Sequence, residues 1–216
     1  MKKEIVLVGG GGHCKSVIDV IEEEGTFSIV GIIDVKQKLG QHILNYEICW
    51  TDDQIPELVK KYDNFLVTVG QIQDPGSRIL LYDKIKAQGG TLPVIVSPKA
   101  HVSRHAKIEE GTVVMHNVVV NADALVGKNS ILNSGCLLEH DVKVGDHCHI
   151  STKAVINGGT IISDRVFVGC SAVLAQMINV GKDSIVSSGS VVRKNVPEYS
   201  LAFGHPAITK TLVSEK

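Results

Sequence analysis

The sequence predicts two domains, a small parallel α/β domain in residues 1–92 and a parallel β-solenoid in residues 93–216. Two patterns lead to this prediction. From Val96 to Val192 every sixth residue is Val, Ile or Leu, and no insertion interrupts the seventeen positions. Neither an α-helix nor a simple amphipathic strand produces that period. Before this run, apolar strands alternate with amphipathic helices, which is typical of a parallel sheet.

The residues between these positions are also restricted in type. We number the six places of each hexad so that the large aliphatic residue occupies the first place. The fifth place holds only Ala, Ser, Thr, Cys, Val or Ile, and recurring Gly, Asn and Asp mark turns. Stacked coils would bury the first and fifth places in one apolar column, with Cys136 and Cys148 inside it. A third-place side chain such as His140 should project outward from a face, and sixth-place His149 should lie near a corner. The period leaves the handedness open.

The N-terminal domain begins with the strand KEIVLV, a glycine turn and an amphipathic helix. FSIVGIID is a second strand that ends at Asp34, and NFLVTVG is a third. Helices are predicted at about residues 54–62 and 75–89, and TLPVIV leads into the solenoid. This alternation predicts a small Rossmann-like parallel sheet.

The glycine turn, Gly9 to Gly12, leaves backbone N–H groups at a helix N-terminus, where they can hold a phosphate. Asp34 follows about 22 residues later, at the strand end where an acidic side chain commonly contacts a ribose. The dinucleotide fingerprint fails, because its third glycine would fall on Cys14 or Lys15. NAD is therefore disfavoured, and a turn that serves only tight packing is the alternative.

Composition limits the kinds of partner. Lys plus Arg number 22 against 23 for Asp plus Glu, so charge does not favour nucleic acid or an anionic membrane. No run of about 18 apolar residues occurs, and MKKEIVLVGGGG lacks a signal-peptide cleavage pattern. The five cysteines are scattered without a CxxC pair, so no disulfide framework is expected. We expect a soluble, cytoplasmic protein.

The two domains together resemble a known enzyme family. GGGGHCKSVIDVIEE after a strand, then IIDVK and VTVG, then hexads that end in FGHPA, are similar to the sialic-acid and nucleotide-sugar acetyltransferases. The resemblance covers nearly the whole chain. It implies a left-handed β-helix with three hexads in each coil, acetyl-CoA as co-substrate and no metal. It also implies a homotrimer whose active sites lie between subunits.

The resemblance assigns roles to particular residues. His140, in the segment Glu139-His140-Asp141, matches the general base, Asp141 the acid that orients it, and Asn133 an asparagine of the site. Asp141 stands where some members carry glutamate, so it must sit closer to the imidazole. The coenzyme-binding positions implied are His149, Gly158, Cys170 and Ser188, of which Ser188 replaces a common glycine. The implied positions for the nucleotide-sugar are Gly10, Gly11, Gly12, His13, Asp34, Lys36 and Gly70.

These residue types suit acetyl transfer to an amine. Histidine accepts a proton near neutral pH, an adjacent carboxylate fixes its tautomer, and backbone N–H groups or His149 can stabilise an oxyanion. The resemblance favours N-acetylation of a UDP-linked 4-amino-4,6-dideoxy sugar by direct attack on the thioester. N-acetylation of GDP-perosamine and O-acetylation of sialic acid are alternatives.

Two further functions remain open. A zinc hydratase of the γ-carbonic-anhydrase type uses a similar trimeric solenoid, and the cluster His147-Cys148-His149 makes it worth testing. Its histidine spacing does not match, and the N-terminal domain would be unexplained. A scaffold without catalysis is the second alternative, against which the Glu139-His140-Asp141 segment argues.

Overall fold

The computed structural model of the chain describes residues 2–72 and 74–212. It divides into two compact units, Met1–Pro98 and Lys99–Lys216, so the division falls after Pro98 where the sequence placed it after Leu92. The last four residues of the predicted C-terminal tail lie outside the described residues. Within the described ranges, no helix is both long and apolar enough to cross a bilayer.

The first unit contains a five-stranded sheet in the order β3-β4-β2-β1-β5. The pairs β1–β2, β1–β5 and β2–β4 are parallel, and β3–β4 is an antiparallel hairpin. The strands and helices in chain order are β1 Lys3–Val8, α1 Gly12–Glu24, β2 Phe27–Ile33, β3 His42–Ile43, β4 Tyr46–Trp50, α2 Ile55–Leu58, β5 Asn64–Val67 and α3 Gly76–Ala87, with short 3-10 turns at Lys36–Lys38 and Asp52–Gln54.

The predicted Rossmann-like sheet is confirmed, with two local differences. The hairpin β3–β4 was not predicted, because a strand of two residues and one of five are too short to show a period. The helix predicted at 54–62 is a 3-10 turn followed by one α-helical turn, Ile55–Leu58. The centre of the sheet is β1, in which Ile5, Val6, Leu7 and Val8 are completely buried.

The second unit is a left-handed parallel β-helix, as the resemblance implied. Each hexad contributes one two-residue strand from a sixth and a first place. The strands from His101–Val102 to Val173–Leu174 each pair in parallel with the strand 18 residues further on, as Val120 does with Leu138. Three hexads therefore make one coil. A terminal antiparallel hairpin, β23–β24, closes the stack. The short strand β6 Ile95–Val96 belongs to the first unit. The strands of the second unit are β7 His101–Val102, β8 Lys107–Ile108, β9 Val113–Val114, β10 Val119–Val120, β11 Leu125–Val126, β12 Ile131–Leu132, β13 Leu137–Leu138, β14 Lys143–Val144, β15 His149–Ile150, β16 Val155–Ile156, β17 Ile161–Ile162, β18 Phe167–Val168, β19 Val173–Leu174, β20 Asn179–Val180, β21 Ile185–Val186, β22 Val191–Val192, β23 Ser200–Gly204 and β24 Ala207–Thr211.

The interior of the β-helix matches the predicted column. First places from Val114 to Val192 are buried, and so are the fifth places from Thr112 to Ser190. Buried hydroxyls donate to carbonyls of the next face, as Thr160 Oγ1 does to Ala175 O at 2.8 Å, which removes the cost of burying them. Cys148 is buried there and its pKa is raised to about 12 by desolvation. Core packing of this thiol is therefore confirmed.

The turns lie at the third and fourth places. Every fourth place from Gly111 to Gly189 has a positive φ, between 49° and 71°, which bends the chain at each corner. This corrects two expectations: third-place His140 lies at a corner rather than on a face, and sixth-place His149 lies in strand β15 rather than near a corner. The six-residue period predicts the spacing of equivalent positions, but it does not show which position in the hexad forms the bend.

Candidate active site

His140 and Asp141 form a side-chain pair at the corner that follows β13. Nδ1 of His140 donates to Oδ2 of Asp141 at 2.7 Å, and both side chains are exposed, at 68% and 63%. Asp141 has a φ of 62°, in the left-handed region that aspartate tolerates better than most residues. The bend thus turns the carboxylate back toward the preceding side chain. The shorter acid reaches the imidazole.

The neighbouring carboxylates change the protonation of His140. The hydrogen bond that His140 donates to Asp141 raises the imidazole pKa above its ordinary value, slight desolvation opposes this, and the charges of Asp141 and Glu139 add to the rise. Glu139 itself accepts from Asn121 Nδ2 at 2.9 Å. Because Nδ1 donates to a carboxylate, the neutral ring carries its lone pair on Nε2. That atom can accept a proton.

Gly158 lies next to His140 in the following coil. The adjacent Gly159 N donates to His140 O at 3.0 Å, and Gly158 O accepts from Met177 N at 3.0 Å. The N–H of Gly158 donates to no other residue in the described part of the chain. His140, Asp141 and Gly158 therefore share one corner of the β-helix, which we call the His140 edge.

Asn133 lies just before a second corner and contacts His149 of strand β15, and we call this region the His149 edge. Asn133 Oδ1 accepts from Ser134 N at 2.8 Å, and its Nδ2 lies 3.2 Å from His149 Nε2. The first contact fixes which end of the amide is nitrogen, so Nδ2 donates and His149 Nε2 accepts. The proton of neutral His149 is then on Nδ1. The ring is 7% exposed and meets the edge of Phe167 at a centroid distance of 5.2 Å.

Cys170 and Ser188 stack on this same edge. Gly189 N donates to Cys170 O at 2.9 Å, which places Ser188 one coil after Cys170. Both residues are exposed third-place residues. Within residues 74–212 their backbone N–H groups donate to no acceptor, since the coil-to-coil ladder uses other places. Backbone N–H groups that the β-helix ladder does not use therefore line the His149 edge.

One subunit does not bring the two edges together. Strand β13, Leu137–Leu138, runs from the corner after Asn133 to the corner of His140. At about 3.3 Å per residue, the seven residues span roughly 15–20 Å. The predicted catalytic residues therefore fall into two groups on different corners of the same coil.

The N-terminal glycine turn is held by Asp34. Gly9 has a φ of 109°, which favours glycine, and Gly10 N donates to Asp34 Oδ2 at 2.7 Å. Burial opposes ionisation of Asp34, but hydrogen bonds from Lys38, Val35 N and Gly10 N outweigh it and lower its pKa. Asp34 is thus ionised and already engaged with the turn. Its predicted contact with a ribose stays a prediction.

The turn leads directly into α1. The helix begins at Gly12 after the N-cap Gly11, and a Cβ on either glycine would meet only open space. The first N–H groups of the helix are therefore accessible, as a phosphate site requires. Gly70 lies beside His13, since a Cβ added to Gly70 would be 3.6 Å from His13 Cβ. The structure brings these four predicted residues together.

A cavity of 340 Å³ lies beside the turn in the same unit. Its walls include the predicted residues Asp34 and Lys36 together with residues that the sequence analysis did not predict. The capping box Thr51-Asp52-Asp53-Gln54 could have drawn attention to them, because it starts a short helical turn after a strand. The cavity is lined by Asp34, Val35, Lys36, Leu39, Thr51, Asp52 and Asp53.

The cluster at 147–149 does not converge within one chain. Asn129 Nδ2 lies 3.0 Å from His147 Nδ1 at one corner, Cys148 points into the core, and His149 faces out from β15. Among the residues that the structure describes, no three His, Cys, Asp or Glu side chains form a group that could hold a metal. A zinc site of the hydratase type would have to draw on a second subunit.

Comparisons with known proteins find similar chains. Residues 4–101 match the PglD N-terminal domain family. PerB from Caulobacter crescentus, solved with CoA and GDP-perosamine, is 31% identical, with 96% of this chain and 97% of that chain covered and a TM-score of 0.89. The acetyltransferase domain of PglB from Neisseria gonorrhoeae FA1090, solved with acetyl coenzyme A, is 26% identical, with 97% and 100% covered and a TM-score of 0.90.

A more distant structure shares the fold. WeeI from Acinetobacter baumannii AYE is 22% identical, with 97% of this chain and 100% of that chain covered and a TM-score of 0.84. A search of curated protein sequences gives no match.

Proposed function

The chain belongs to the hexapeptide-repeat nucleotide-sugar N-acetyltransferases, and from this premise we propose how its residues carry out the reaction. The enzyme transfers an acetyl group from acetyl-CoA to the amino group of a nucleotide-linked sugar. The observation that carries the mechanism is the 2.7 Å hydrogen bond from His140 Nδ1 to Asp141. It leaves Nε2 of an exposed imidazole as the proton acceptor.

The residues present fit acetyl-CoA as the donor. The outward N–H groups of Gly158, Cys170 and Ser188 can hold carbonyl groups of the coenzyme arm, since the β-helix does not use them. Bound acetyl-CoA supplies an activated thioester, so the enzyme needs no covalent intermediate. Cys148 is buried with a raised pKa, which makes it a poor nucleophile.

His140 removes the proton that the amine must lose. Nε2 accepts this proton as the nitrogen forms its bond to the acetyl carbon, and the ring becomes an imidazolium with a proton on each nitrogen. When the carbon–sulfur bond of the thioester breaks, the imidazolium returns the proton to the departing CoA thiolate. Asp141 stabilises that cation through the hydrogen bond to Nδ1. The raised pKa of His140 favours the proton transfer but requires a pH high enough to keep the ring neutral.

His149 is suited to a different task. Because Asn133 holds Nε2 as an acceptor, the neutral ring carries its proton on Nδ1, which is the atom through which His149 would stabilise a developing oxyanion. Its near-complete burial makes such a hydrogen bond stronger than it would be in water. The N–H of Gly158 is a second candidate donor.

The separation of the two edges supports an oligomer. If His140 and His149 serve one acetyl group, the His149 edge of a second copy must meet the His140 edge of the first. A ring of three such head-to-tail contacts closes on itself, which makes a homotrimer with three shared active sites our proposal. Each subunit then contributes His140 to one site and His149 to another.

The N-terminal unit is the proposed site for the nucleotide. The exposed N–H groups at Gly11, Gly12 and the start of α1 suit the diphosphate, with His13 and Gly70 beside them. The adjacent cavity, with Asp34 and Lys36 on its wall, suits the ribose and base. An intact phosphate site favours a nucleotide-linked sugar over free sialic acid.

The acceptor sugar is carried either by UDP or by GDP. The sequence favoured a UDP-linked 4-amino-4,6-dideoxy sugar, and this stays a prediction. A GDP-linked amino sugar is the second candidate, because PerB was solved with GDP-perosamine and is 31% identical over nearly the whole chain. Both acceptors present the same amine to His140.

We place the enzyme in the cytoplasm. All five cysteines are free thiols, which suits a reducing compartment, and the described residues contain no membrane-spanning helix.

A product assay tests the proposed function. Acetyl-CoA is incubated with UDP- and GDP-linked 4-amino sugars and free sialic acid, and thiol release and acetylated product are both measured. The same nucleotide sugars with a hydroxyl in place of the amine serve as matched controls. We expect turnover on one amino sugar and none on its hydroxyl counterpart. Turnover on sialic acid alone, or none despite coenzyme binding, would contradict the proposed acceptor class.

A further inference from the structure

Gly158 is an exception within the repeat. Third places run from Pro98 to Lys194, and Gly158 is the only glycine among these seventeen. The backbone does not require it, since the positive φ values of the corners fall on fourth places, such as Gly159 with a φ of 66°. Ala122 occupies the equivalent place one coil before His140, so this place accepts a Cβ. Local conformation therefore does not explain the glycine at 158.

The ring of His140 does explain it. A Cβ added to Gly158 would lie 2.7 Å from Cε1 and 2.8 Å from Nε2 of His140. Ordinary van der Waals contact begins at about 3.5 Å, so a side chain at 158 requires the exposed ring of His140 to shift. The imidazole fills the space that a side chain at 158 would occupy.

We propose that Gly158 is a positioning residue for His140: its missing side chain lets the imidazole lie against the backbone of the next coil while Nδ1 stays on Asp141. The inference rests on the proposed function only for its consequence in catalysis. The ring placement itself is a property of the β-helix. A methyl group at 158 has to push the exposed ring outward, away from Asp141 and from the N–H of Gly158.

The test compares Gly158→Ala with Gln176→Ala, an exposed third-place change one coil further along the same corner. The first measurement is the pKa of His140, followed by NMR of its ring protons and assigned by their loss in His140→Ala. We expect the pKa to fall toward the ordinary value in Gly158→Ala, because the hydrogen bond to Asp141 is lost. Gln176→Ala should leave it unchanged.

The second measurement is kinetic. In Gly158→Ala we expect kcat to fall about tenfold or more, since a shift near 1 Å at a reacting group is costly, with both KM values within about twofold of the parent. In a His140→Ala background the same change should have no further effect. An equal loss in that background would mean that Gly158 acts on the coenzyme directly and would overturn the inference, as would an unchanged His140 pKa.

The two claims can fail separately. In Gly158→Ala, a lowered His140 pKa with an unchanged kcat would support the positioning role of Gly158 and would contradict the role of His140 as the general base. An unchanged His140 pKa in Gly158→Ala, together with a large loss of kcat in His140→Ala, would support His140 as the general base and would show that Gly158 does not position it.

Discussion

His140 and His149 occupy the same scaffold, nine residues and half a coil apart, yet their surroundings are opposite. His140 is exposed at a corner and donates from Nδ1 to a carboxylate. His149 is buried on a face and accepts at Nε2 from an amide. One neighbour therefore leaves a lone pair on Nε2, and the other leaves a proton on Nδ1.

This contrast shows how a uniform repeat produces different chemistry. The backbone is nearly identical at each hexad, so the tautomer of each ring is decided by one side chain: Asp141 from the following residue, and Asn133 from the preceding coil. A base and a hydrogen-bond donor are both needed for attack on a thioester. The β-helix supplies them from two edges.

The largest effect is expected on removing the base. His140→Ala should lower kcat by about 10²- to 10⁴-fold, the usual contribution of a general base, because it removes the Nε2 lone pair that takes the proton. The fold should be unaffected, since the side chain is exposed. Steady-state kinetics check this, with His105→Ala, another exposed histidine at the same corner, as the control. Activity within a few-fold of the parent would break the assignment of roles.

Removal of the donor should come next. His149→Phe keeps a buried ring beside Phe167 but loses Nδ1–H, and we expect kcat to fall by about 10²-fold, as for loss of one oxyanion donor. Asn133 loses a partner, which should destabilise the fold by about 1–3 kcal/mol. Phe167→Leu, which keeps the imidazole and its amide partner, is the control. A larger fall in Phe167→Leu than in His149→Phe would show that packing matters rather than the donor.

The pH profile gives a smaller but more specific effect. Because Asp141 raises the pKa of His140, the rate should rise with pH through a midpoint above about 6.5. In Asp141→Asn the imidazolium loses this support, so the midpoint should move to lower pH and the plateau should drop about tenfold. Asp123→Asn, at the same place one coil earlier, should change neither. An unchanged midpoint in Asp141→Asn would show that the Asp141 carboxylate does not raise the pKa of His140, and would contradict this account.

The fold of the β-helix could be predicted because each coil touches only its neighbours. A first-place run from Val96 to Val192 is then enough to specify the stack. The phase of the bend could not be predicted, since it depends on the positive φ of fourth places such as Asp141 and His147, which the spacing does not encode. The hairpin β3–β4 was missed because its strands are too short to show a pattern.

The site was predictable in part. The pairing of His140 with Asp141 links adjacent residues, so a motif could show it. The contact of Asn133 with His149 joins residues 16 apart, and the space that Gly158 leaves for His140 spans 18; both depend on the coil length. The positions of the site residues were predicted from the family resemblance, whereas the tautomers of His140 and His149 and the separation of the two edges follow only from the structure.

Subunit complementation tests most directly whether the two edges form one active site. Chains carrying His140→Ala or His149→Phe are co-expressed with different tags, and mixed oligomers are purified through both. If the edges come from different subunits of a trimer, every mixed trimer has one interface of its three with both histidines intact, so roughly a third of the parent activity should return. Mixed oligomers no more active than either single variant would contradict the shared site.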